Sequence, residues 1–252
     1  MSWHTGASAL ELENTLAAFR AAIRLGADFI EFDVRRTKDK VLVIHHDPRV
    51  FDKIIKDSSL AELRKAAQAN RTELATFDQL LQVAHRQIKL DIEIKEESYE
   101  MEIINSLRSH GWSDDDFVIT SFHDASIRRI KLYSQTARCG LLLGVSNPPN
   151  RLSTRLSEFF PAQRLKATGA DFVAPSVQLL KFAFARRLTA KGFPIWVWTV
   201  DNPRRIQRLL ATRGVEAVIT NAPDLGLKAR EQLQEKLSRY TADPDEPVAQ
   251  GE

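Results

Sequence analysis

The chain has a single cysteine, Cys139, among 252 residues, so an internal disulfide is excluded. No apolar run approaches the roughly 18 residues of a membrane-spanning helix, so no transmembrane segment is expected. The N-terminus has no basic segment leading into an apolar one, so a signal peptide is not expected either. The dinucleotide-binding pattern G-x-G-x-x-G is missing. Excess charge of one sign is also scarce: the net charge is +3, and no Lys/Arg block is long enough to track a phosphate backbone. The expectation is a cytoplasmic protein with a small-molecule substrate and no nucleic-acid partner. Nothing here fixes the oligomeric state.

What is present is an ordinary globular composition, 43% hydrophobic and 27% charged, in a length that suits one (β/α)8 domain. Apolar strand patterns are predicted at Asp28–Val34, 41–45, Ile88–Ile94, Phe117–Thr120, Ala137–Leu143, Asp171–Ala174, Pro194–Val200 and Val215–Ile219. Helical patterns are predicted at Glu13–Leu25, near Leu60–Ala67, and at Phe77–Ala84, Tyr99–Ser109, Ala125–Tyr133, Leu156–Thr168, Leu179–Ala190, Pro203–Ala211 and Asp224–Leu237. Asn14 and Thr15 are candidate caps of the first helix, which Gly26 ends. Regular alternation implies parallel β-α-β units. It favours a TIM barrel with a closed parallel sheet over an open doubly wound sheet. One domain is expected over residues 1–240, with a polar, proline-containing and disordered tail at 241–252.

The stretch EFDVRRTKDKVLVIHHD, Glu31 to Asp47, organises the rest. Side chains alternate along a strand, so Glu31 and Asp33 leave one face. At about 4 Å and an effective dielectric of about 20, two such charges repel by roughly 4 kcal/mol. A cation or a shared proton relieves this. In a parallel barrel, working groups sit at the C-terminal strand ends. That rule collects His4, Glu31, Asp33, His46, Glu93, Lys95 and Trp198.

Three converging carboxylates, Glu31, Asp33 and Glu93, suit one hard divalent cation, Mg2+ or Ca2+. The alternative is ion pairing to Arg35, Arg36 or Lys95 without metal. His4 and His46 are candidates for general acid and base, for metal ligation, or for ordinary loop positions. His45 has the opposite parity and is predicted to point elsewhere. His85, His110 and His123 carry no carboxylate motif and read as solvated. Lys95 suits phosphate binding or a Schiff base, and the acidic cluster favours the charged, ion-paired form. Asp91 shares the parity of Glu93 and needs a buried partner that the sequence does not name. Phe122 and Trp198 either line a pocket or pack in the core. Cys139 reads as a small buried residue.

The ordered motifs H-x-G, LENTLAAFRAAIRLGADFIEFDVRRTKD, VIHHDP, LDIEIK, VITSF, WVWTV and GVEAVITNAPD resemble those of the glycerophosphodiester phosphodiesterases, from His4 to about Asp224. The resemblance implies a (β/α)8 barrel that uses a divalent metal to hydrolyse glycerophosphodiesters to an alcohol and glycerol 3-phosphate. It implies Glu31, Asp33 and Glu93 as metal ligands and His4 and His46 as the acid–base pair. Lys95 then helps hold the phosphate, Phe122 and Trp198 line the glycerol or alcohol side, and Glu13 lies near the site without a firm role. It also implies a short connection, with no large insertion, after the 41–45 strand. Alternatives are a lysophospholipase D using the same site, or a degenerate barrel that binds a phosphoester without turnover.

There are two departures from the family pattern. Thr5 stands where the family usually has a phosphate-binding arginine, so the position offers a neutral hydrogen bond of about 1 kcal/mol instead of a charge-assisted one of about 1.5–3. Only Met1, Ser2 and Trp3 precede His4, where the family has several apolar residues, so either the first strand is truncated and the barrel seam weak, or the true start lies upstream.

Overall fold

The computed structural model describes residues 2–3, 14–144, 151–180 and 183–242; at 2–3, 151–153 and 240–242 only the backbone is described. The chain opens with β1 (Ser2–Trp3), α1 (Leu16–Leu25), β2 (Phe29–Arg36) and β3 (Leu42–Ile44). A small unit follows: β4 (Arg49–Val50), β5 (Lys53–Ile54), α2 (Leu60–Ala69) and α3 (Phe77–Ala84). Alternation then runs through β6 (Lys89–Ile94), α4 (Glu100–Ser109), β7 (Phe117–Ser121), α5 (Asp124–Tyr133) and β8 (Arg138–Leu143). It continues with α6 (Arg151–Phe159), α7 (Ala162–Thr168), β9 (Phe172–Pro175), α8 (Phe184–Thr189), β10 (Ile195–Val197), α9 (Pro203–Leu210), β11 (Val215–Thr220) and α10 (Pro223–Ala242).

The sheet order is β1-β11-β10-β9-β8-β7-β6-β2-β3, and β1 also pairs with β2. Apart from β3 the pairings are parallel, giving a strongly curled sheet of the TIM-barrel type. β1 brings two residues to the seam: Ser2 and Trp3 pair with Ile219 and Thr220 on one side and with Phe29 and Ile30 on the other. The β2–β6 ladder has six such pairs. In place of the expected closed cylinder, the described residues form a curled, mostly parallel sheet.

The 41–45 strand is a correction. It was expected as a parallel barrel strand, but β3 runs antiparallel to β2, pairing Val34 with Ile44 and Arg36 with Leu42. The five residues 37–41 between them can make a hairpin, whereas a parallel crossover needs a dozen or more. Lys40 takes a left-handed φ of 64° to turn the chain. The following connection is less polar than its sequence suggests: Val43, Val50, Ile55, Leu63, Ala67 and Leu74 form a separate buried cluster.

Strand alternation sorts the core. Ile30, Phe32, Val34, Ile92, Ile94 and Ile119 face the helix layer and pack with Phe19, Phe77, Leu80, Ile103 and Ile127. Val118, Leu142, Phe172, Ala174, Trp196 and Ala217 form a second cluster inside the curl. Local chemistry sets the helix ends. Thr15 accepts from Ala18 N at 3.2 Å to start α1, and Gly26 at φ 75° ends it. Ser59/Glu62 and Thr76/Gln79 make reciprocal capping boxes on α2 and α3. The single helix expected over Leu156–Thr168 is divided into α6 and α7 at Phe160 and Pro161, since a proline removes an N–H from a continuing helix. The expected tail begins at Thr241; α10 takes in Thr241 and Ala242, and 243–252 lie outside the described residues.

Candidate metal centre

β2 and β6 are parallel and in register, with Glu31 opposite Asp91 and Asp33 opposite Glu93. Equal parity then puts all four carboxylates on one face, inside the curl. Glu31, Asp33 and Glu93 are 3%, 0% and 5% exposed. One oxygen from each lies within 4.8 Å of the others. The three predicted ligands are thus brought together. Asp91 sits one step deeper, fully buried, and accepts from Thr120 Oγ1 at 3.1 Å. Thr120 is the partner that the sequence did not identify.

Lys95 reaches into the same group. Its Nζ is 2.7 Å from Glu93 Oε1 and 3.0 Å from Asp33 Oδ1. Burial pulls its pKa down, but the charges of Glu93 and Asp33 outweigh this and raise it, so the ammonium stays protonated. Burial pushes Glu93 up to about 7; Asp33 and Glu31 add to the rise and Lys95 opposes it. Of the cations weighed against a metal, Lys95 alone pairs with the cluster. Arg35 turns to Glu96 and to the His46 carbonyl, and Arg36 to Glu102 at 2.7 Å. A buried all-oxygen donor set of three carboxylates fits a hard divalent cation.

His45 and His46 lie beyond the end of β3, so strand parity does not govern them. His45 N donates to Asp33 O at 3.0 Å. Its half-buried ring has a lowered pKa, chiefly from burial; Asp47 and Asp33 oppose the shift and Arg35 adds to it. His45, which sequence parity set aside, thus lies close enough to Asp33 for the two charges to interact. The His46 ring is 55% exposed, with Nδ1 2.9 Å from Asp47 Oδ1. His4, Thr5 and Glu13 lie outside the described residues.

Phe122 and Trp198 meet edge to face, centroids 5.8 Å apart, both half-buried over the interior apolar cluster. Trp198 Nε1 donates to Ala174 O at 2.7 Å. His123, read as solvated, holds its Nε2 3.2 Å from Lys95 O. Asn14 was also missed as a site residue. Thr15 takes the cap, while Asn14, 7% exposed at φ 57°, places Nδ2 3.4 Å from Asp33 Oδ2. Its neighbours Glu13 and Thr15 in the E-N-T element were the available signal.

Comparison with known proteins agrees with this geometry. The chain is 30% identical over 248 residues to YhdW of Bacillus subtilis, covering 89% of this chain and 95% of that protein. The name of that relative assigns it provisionally as a glycerophosphodiester phosphodiesterase. It is 27% identical over 241 residues to a glycerophosphodiester phosphodiesterase of Caldanaerobacter subterraneus, covering 88% of this chain and 93% of that one. Its fold matches an Oleispira antarctica phosphodiesterase solved with the product sn-glycerol-3-phosphate, at TM-score 0.77 and 21% identity over 91% of this chain and 96% of that one. The family profile matches residues 4–225, a span that takes in every carboxylate of the cluster. The chain belongs to the glycerophosphoryl diester phosphodiesterase family.

Proposed function

We propose that this protein hydrolyses glycerophosphodiesters to an alcohol and glycerol 3-phosphate, with one divalent cation, Mg2+ or Ca2+, held by Glu31, Asp33 and Glu93. The observation that carries the reading is the buried triad, with one oxygen of each carboxylate within 4.8 Å of the others and Lys95 paired beside it. When bound, a divalent cation supplies Lewis-acid polarisation of the phosphoester. Lys95 offers a fixed ammonium to a phosphate oxygen. His46, oriented by Asp47, is suited to moving a proton at the rim, and His4 is its proposed partner. Phe122 and Trp198 give the alcohol or glycerol side an apolar wall. A single barrel domain over 1–240 and a cytoplasmic location belong to the same reading. No described helix is long and apolar enough to cross a membrane.

The test is release of glycerol 3-phosphate from glycerophosphocholine with Mg2+ or Ca2+, with and without EDTA, and with a lysophospholipid assayed in parallel. Loss of activity in chelator and preference for the deacylated substrate are expected. Equal rates with EDTA remove the cation from the reading, and preference for the lysophospholipid replaces the substrate class.

A further inference from the structure

Arg35 continues the inward row of Glu31 and Asp33 on β2, yet it does not neutralise them. Its side chain is only 9% exposed, and a buried guanidinium must be satisfied by fixed partners. Nε and Nη2 both donate to the His46 carbonyl, at 3.1 and 2.6 Å, and Nη1 donates to Glu96. Glu96 is itself fixed. Its N–H donates to the Tyr99 hydroxyl at 3.1 Å, and that hydroxyl donates to Val34 O at 2.7 Å. Burial and the neighbouring Glu96 charge raise the Tyr99 pKa, which keeps the phenol protonated as a donor.

We infer that Arg35 is a positioning residue that clamps the His45–His46 turn to the end of β6, the strand that carries Glu93 and leads into Lys95. The inference rests on the reading of His46 as a proton carrier. The clamp acts on the backbone. With the His46 carbonyl held twice and His45 N held by Asp33 O, the peptide planes of the turn are fixed on both sides. The His46 ring can still rotate, and Asp47 restricts that. A planar fork holds one carbonyl through two donors, and lysine has no equivalent geometry. Three segments distant in sequence are thereby tied at one guanidinium: the end of β2, the turn after β3 and the residues after β6.

The rival role for a cation here is direct phosphate binding in place of the arginine that Thr5 lacks. The two roles separate in kinetics. Loss of a phosphate ligand raises KM, whereas loss of geometry at the proton carrier lowers kcat. Arg35→Ala, Arg35→Lys and Glu96→Gln are compared with the unaltered full chain on glycerophosphocholine in saturating Mg2+. The clamp predicts that R35A loses roughly 10–100-fold in kcat, because misplacement by about an ångström can cost 10²-fold. KM stays within about twofold, and Mg2+ affinity by calorimetry is unchanged. Added guanidinium ion restores part of the R35A rate, whereas methylammonium does not. Glu96→Gln shows a smaller loss of the same kind. Hydrogen exchange at 44–47 rises in R35A relative to β2 and β6.

Unchanged kcat in R35A, or a raised KM at normal kcat, overturns the inference. If R35A does not fold, R35K and E96Q carry the same comparison. If the unaltered protein shows no phosphodiesterase activity, the functional reading falls on its own, while exchange at 44–47 still reports whether Arg35 holds the turn.

Discussion

Glu93 is pressed from three sides: burial, Asp33 and Glu31 raise its pKa from 4.5 to about 7 in the cation-free protein, and Lys95 only partly offsets them. The folded state therefore binds this proton more tightly than the unfolded chain between those two values. Its contribution to stability is fully present below pH 4.5 and is lost as pH rises through about 7. In EDTA, the Tm should fall across that window, and Glu93→Gln should flatten the slope; equal slopes would refute the assignment. At the same scale, His46→Ala should lower the hydrolysis rate at least about a hundredfold, the low end for acid–base catalysis. A near-normal rate would leave His46 no part in proton transfer. The triad was legible in the sequence because a period of two and parallel pairing suffice to place Glu31, Asp33 and Glu93 together. Asn14, His45 and Arg35 were not, because each acts through a partner at least ten residues away, reached by a left-handed turn, a backbone bond or a carbonyl.

Elements were legible where one local rule sufficed. The predicted helix Phe77–Ala84 is α3 to the residue, since its cap and apolar period are both local. β3 was misassigned although its five-residue connection already excluded a parallel crossover. The interior face of β8 depends on a contact that no pattern announces. A Cβ on Gly140 would lie 2.2 Å from the Phe172 ring, whose neighbour Trp196 stacks at 4.6 Å between centroids. Both rings are buried. Gly140→Ala should cost about 1–3 kcal/mol by overpacking, read as a Tm drop of roughly 2–10 °C. Unchanged stability would mean that the interior is looser than drawn. On the same strand, the buried Cys139 thiol is pushed up to about 12 by burial, with Asp171 and Asp114 adding and Lys131 opposing. It should resist a thiol-reactive dye at pH 8 until the protein is unfolded; rapid native reaction would show β8 opening.

Across the whole molecule, charge and topology meet at one place. The sheet brings four carboxylates and one ammonium to the β2–β6 junction, in a layer with almost no exposure to water. Without a cation, mutual repulsion there opposes folding, and Lys95 and the raised pKa of Glu93 relieve part of it. A divalent ion binding the folded state alone therefore adds stability by mass action, about 2.7 kcal/mol at a hundredfold excess over Kd. For a chain of this size that corresponds to a Tm rise of roughly 5–10 °C. The rise should appear with Mg2+ or Ca2+, vanish in EDTA, and be absent in Asp33→Asn at the same ionic strength. A monovalent salt of equal ionic strength should not reproduce it, since screening falls short inside a buried site. An equal shift in Asp33→Asn would place the stabilising ion elsewhere, and the acidic cluster would then be a lysine-paired structural site.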